Sequence, residues 1–64
     1  MNNQTYTYKV KIANRLKIAD KIDELPECDV RSVVIKDNMA VITVYFLDSS
    51  KLPYVDYLVA RLNK

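Results

Sequence analysis

The sequence predicts an α+β fold: strand, helix, strand, strand, helix, with both helices on one face of a three-stranded antiparallel sheet of spatial order 1-3-2. Three observations lead there. The hydrophobic period changes from two residues to about 3.6 and back along the chain. Asp37-Asn38, two residue types that tolerate positive φ, separates two strand-like runs and suits a tight hairpin. Met39 to Leu47 is largely apolar on both faces, which suits a strand flanked on both sides.

From Thr5 to Ile12, Tyr6, Tyr8, Val10 and Ile12 alternate with Thr5, Thr7, Lys9 and Lys11, the pattern of a half-buried strand with one apolar and one basic face. Over Arg15 to Leu25 the period lengthens. Ile18, Ala19, Ile22 and Leu25 then share one side of a helical wheel, with Lys17, Asp20 and Glu24 opposite. Asn14 is placed to cap this helix, and Pro26 takes Leu25 out of helical geometry and ends it. A second strand, Asp29 to Lys36, enters the hairpin. A two-residue loop sets Lys36 against Met39, Ile35 against Ala40, Val34 against Val41 and Val33 against Ile42. After Asp48-Ser49-Ser50, a run of good N-caps, Pro53 fits a first helical turn. Leu52, Val55, Leu58, Val59 and Leu62 form the buried stripe of this second helix, leaving Tyr54, Tyr57 and Arg61 outside.

The hairpin register sorts the sheet into two faces. Val33, Ile35, Ala40, Ile42, Val44 and Phe46 are the expected core side, which Tyr6 and Tyr8 also face. Val30, Ser32, Val34, Lys36, Met39, Val41, Thr43 and Tyr45 are the expected open side. Residues 1–64 make one small domain of the split βαβ type, ferredoxin-like but lacking the last strand. That architecture hosts many activities, so function must be read from the surfaces it presents.

Composition narrows the chemistry. Histidine is absent, which removes the commonest general base and neutral metal ligand. Glycine is absent too, which argues against a P-loop, a dinucleotide-binding turn or a GxxG clamp. Cys28 is the sole cysteine, has no imidazole partner in the chain and lies between Glu27 and Asp29, which disfavour its thiolate. Asp20, Asp23, Glu24 and Glu27 interleave with Lys17 and Lys21 as a solvated helix surface would. A non-enzymatic protein is expected, without cofactor, metal or small-molecule substrate.

No stretch reaches the roughly 18 apolar residues of a membrane span, and the chain starts with polar Met1-Asn2-Asn3-Gln4 rather than a secretory leader. With a lone cysteine, this leads to the expectation of a cytoplasmic protein, in the host cytoplasm if phage-encoded. The net charge of +2 favours acidic partners only weakly.

The open side carries the functional expectation. Val30, Val34, Met39, Val41 and Tyr45 would form an apolar centre rimmed by Thr7, Ser32, Thr43 and lysines, the layout of a protein interface. Tyr54, Tyr57 and Arg61 add a second patch of residue types enriched at binding hot spots, with Arg61 one turn from Tyr57 and within stacking reach. A core of this size supplies only about 3 to 5 kcal/mol, so self-association is favoured and a homodimer is expected, with the outer edge of strand one open for pairing. Short length and richness in lysine, asparagine and isoleucine point to an AT-rich genome such as that of a phage or mobile element. The expected role is an accessory or inhibitor protein that blocks a host macromolecule, for example of the anti-CRISPR type. The alternative is a small nucleic-acid-binding protein that uses Lys9, Lys11, Lys36 and Tyr45 on the open face.

Overall fold

The computed structural model describes residues 4–64; Met1, Asn2 and Asn3, read above as part of a polar start, lie outside the described residues. Strand β1 (Gln4–Val10) leads through a 3-10 turn (Ile12–Asn14) into helix α1 (Arg15–Asp23). Strands β2 (Cys28–Lys36) and β3 (Met39–Phe46) form the hairpin, and a second 3-10 turn (Ser49–Lys51) opens helix α2 (Leu52–Leu62). The sheet is antiparallel throughout, in the order β1-β3-β2. The α+β fold and strand order expected from the sequence are the ones observed.

The hairpin forms as read. Asp37 and Asn38 have φ of 53° and 66°, the left-handed region that a two-residue type I′ turn needs at both positions. The pairings of Lys36, Ile35, Val34 and Val33 follow from that turn. Beyond Val33 the register breaks: Ser32 pairs with Thr43 but Val30 pairs with Val44, so Arg31 is an extra residue, a β-bulge. Parity flips across the bulge. Val30 therefore turns to the helix side and packs against the core, correcting its expected place on the open face.

Ala40, Ile42, Val44 and Phe46 on β3 are fully buried and meet Val10, Ile18, Ile22 and Val55, also fully buried, with Ala19, Cys28 and Val59 closing the cluster. Tyr6 and Tyr8 lie on this side, as their parity predicts: Tyr6 meets Phe46 edge to face, 5.6 Å between centroids, and the Tyr8 hydroxyl donates to Asp56 Oδ1 at 2.7 Å. Ile35 shares the side but lies 57% exposed, because the helices do not cover that corner of β2.

Two local expectations change. The first strand ends at Val10, two residues early, because the backbone N–H of Lys11 donates to Asn63 Oδ1 at 2.8 Å instead of continuing the sheet. Asn14 does occupy the N-cap position of α1 but makes no side-chain cap bond. Its amide, in a buried residue, donates instead to the same Asn63 oxygen at 3.3 Å. Asn63 thus ties the end of α2 to the turn between β1 and α1.

Candidate protein-binding site

The open face is a stack of cross-strand rows fixed by the register. At the hairpin end, Met39 faces Lys36; the next row is Lys9, Val41, Val34; then Thr7, Thr43, Ser32; then Thr5, Tyr45, Asp29. Apolar side chains are confined to the first two rows. Val34 is 51% exposed, and Met39 and Val41 are half-buried. These three form the floor of a shallow basin of about 390 Å³, with Lys9, Lys36 and Asp37 around it.

The apolar centre is therefore smaller than the sequence implies. Val30 faces the core, and Tyr45 is separated from Val41 by the polar row of Thr7, Thr43 and Ser32. Tyr45 is also covered. The bulge aims Arg31 across it, with the guanidinium carbon 4.8 Å from the ring centroid, and Arg31 Nε pairs with Asp29 Oδ2 at 3.2 Å. The sequence reading missed Arg31 altogether. Its signal was the parity break itself: Cys28 and Val30 sit at even positions and Val33 and Ile35 at odd ones, although all four face the core.

For stacking of bases this face is a poor platform. Its one aromatic already carries an arginine over one ring face, and Lys11 lies past the end of β1, leaving Lys9 and Lys36 as the lysines on the sheet. The two lysines instead flank the apolar floor. That arrangement suits an aliphatic or aromatic side chain with a carboxylate beside it.

The second expected patch lies on α2, away from the sheet's open face. Tyr54 and Tyr57 are 50% and 61% exposed and Arg61 is exposed. Together with Lys21, Glu24 and Leu58 they line a groove of about 480 Å³ between α2 and the end of α1. Among the described residues the cation–π contact is Arg31 on Tyr45, not Arg61 on Tyr57.

The remaining reactive groups are scattered. Cys28 is buried, and burial, reinforced by the charge of Glu27, raises its thiol above the ordinary range and keeps it protonated. Among the described residues no three Cys, Asp or Glu side chains gather where a metal ion could sit, and no helix is long and apolar enough to cross a membrane. No protein-family model matches the chain, and neither does any curated protein or solved structure.

Proposed function

We propose that this chain is a non-enzymatic protein-binding module that acts in the cytoplasm and recognises a protein segment through the hairpin end of its open sheet face. One observation carries the reading: Val34, Met39 and Val41 make a solvent-exposed apolar floor with Lys9, Lys36 and Asp37 around it, a net positive rim. An apolar anchor flanked by acidic residues complements it in both shape and charge. Homodimerisation belongs to this reading, since a core of this size supplies only about 3 to 5 kcal/mol.

The test is affinity capture from lysate, with and without nuclease treatment, with three baits: the wild type, Val34→Asp, and Lys9→Glu with Lys36→Glu. Expected is a set of proteins retained by the wild type and lost with both variants, all three baits having native circular dichroism. Retention of the same proteins by Val34→Asp would refute the site. Capture that disappears on nuclease treatment would transfer the lysines to a nucleic-acid role. The narrower role, a phage or mobile-element inhibitor of the anti-CRISPR type, is supported by length and composition. It predicts restored plasmid transformation in cells with an active CRISPR system, and unchanged interference would remove it.

A further inference from the structure

The two edges of the sheet differ in kind. The outer edge of β2 is bent by the bulge at Arg31, a feature that protects an edge from pairing. Along the outer edge of β1, Lys9 is the one charged side chain, and the edge carries no bulge. Its register with β3 is unbroken over all seven residues, it contains no proline, and no strand covers it among the described residues. We propose that this edge pairs, antiparallel, with the same edge of a second copy of the chain, with Thr7 facing the partner's Thr7. Three strands from each copy then form one continuous six-stranded sheet.

The register follows from the residues. In an antiparallel pair of identical strands, facing residue numbers have a constant sum, and an even sum keeps the helices of both copies on one side. A sum of 14 is the one that pairs the whole of Gln4–Val10. Gln4 then faces the partner's Val10, Thr5 the partner's Lys9, and Tyr6 the partner's Tyr8. A sum of 18 would set Lys9 on the partner's Lys9, which like-charge repulsion opposes, a sum of 16 sets Gln4 and Thr5 beyond the partner's Val10, and a sum of 12 sets Lys9 and Val10 beyond the partner's Gln4, the first described residue. At 14 the only charged residue of β1 meets a threonine. On the helix side, Tyr6, 37% exposed with its ring against Phe46, gains an aromatic cross-strand neighbour. The seam is about 24 Å long at the usual rise per residue.

The proposal supplies a partner for the self-association in the protein-binding reading but uses a different surface, so the two fail separately. The experiment is sedimentation equilibrium on the full chain: wild type, Thr7→Glu, Thr7→Lys, their equimolar mixture, and Val34→Asp, with circular dichroism to confirm folding. Thr7 is exposed, and the two-fold axis doubles any charge placed there. Expected is a wild-type dimer that Val34→Asp preserves. Each charged Thr7 variant should weaken it by about tenfold or more, and mixing the two should restore it through a Glu–Lys pair. A monomeric wild type, a dimer indifferent to both Thr7 variants, a mixture that fails to recover, or a dimer lost in Val34→Asp would each overturn the edge register. Hydrogen exchange on the wild type needs no substitution: protection of β1 amides should rise with chain concentration, and exchange independent of concentration overturns the proposal.

Discussion

Val30 and Val34 stand four residues apart in one strand, so simple alternation gives them the same face; the bulge gives them opposite ones. Replacing each by Asp tests the bulge directly. Both variants carry the poor strand propensity of Asp, at most about 1 kcal/mol, so their difference isolates the face. Val30 is half-buried, faces the fully buried Val44 and packs against the core. Removing its side chain forfeits about 1 kcal/mol, roughly half the value of a fully buried valine. A carboxylate on the core side adds about 1 to 3 kcal/mol of desolvation, or of the free energy needed to keep it protonated. The sum, about 2 to 4 kcal/mol, approaches the whole stability available to a core this small. Val34 is 51% exposed in a basin lined by Lys9, Lys36 and Asp37, whose net positive charge offsets part of the propensity cost of a carboxylate introduced there. Urea unfolding followed by circular dichroism measures the gap. With a slope near 1 kcal/mol per M for a protein of this size, the Val30→Asp midpoint should fall about 2 M or more below that of Val34→Asp. Equal midpoints, or a lower one for Val34→Asp, would refute the register assigned to β2.

Tyr8, alongside the buried Cys28 thiol raised in the same direction, contributes to the alkaline limit. Burial first, then the hydrogen bond to Asp56, raises its phenol well above the ordinary 10.0, so the folded chain keeps a proton that the unfolded chain loses. The stability tied to that proton is complete below about pH 10 and is lost as pH rises through the native value. Urea midpoints measured from pH 8 to pH 11 should therefore fall more steeply in the wild type than in Tyr8→Phe, and parallel slopes would refute this. Asn63→Ala removes the acceptor shared by Lys11 and Asn14 and leaves a buried amide unpaired. It should cost about 1 to 2 kcal/mol and speed exchange of the Lys11 amide. Unchanged exchange would show that the tie is not formed in solution.

What the sequence made legible was set by local chemistry. Asp37-Asn38 determined the turn, the turn determined the register from Lys36 to Val33, and alternation on β3 separated core from surface without error. What escaped depended on partners distant in the chain. Asn14 looks like a helix cap in isolation; its actual acceptor lies 49 residues away. The strand through Lys11 and Ile12 looks continuous until Asn63 takes the Lys11 N–H. The bulge lies between these cases. The core positions of β2 change parity at Arg31, yet a run of valines hides the change because either face accepts them. Misplacing Val30 enlarged the expected binding centre, and it also left Arg31 without a role.

The bulge links the face to the edge. By turning Arg31 over Tyr45, it flanks the end of the open face far from the hairpin, and by interrupting β2 it favours β1 as the edge for the proposed pairing. An axis through Thr7 normal to the sheet then keeps both open faces on the same side of the proposed dimer. Lys9 lies opposite the partner's Thr5, so the rows holding Val41 are offset by four residues along the strands. Three strand spacings separate β3 from the partner's β3. At ordinary strand rise and spacing the two Val41 positions come out ~20 Å apart. Each basin, at about 390 Å³, is of the size of one anchor side chain and is too small for a tight interface alone. Two basins at that spacing raise the effective concentration for the second contact on any target presenting two acidic-apolar segments or on a symmetric dimer. In the proposed dimer, the second copy would offset both the small size of the core and the small size of the basin.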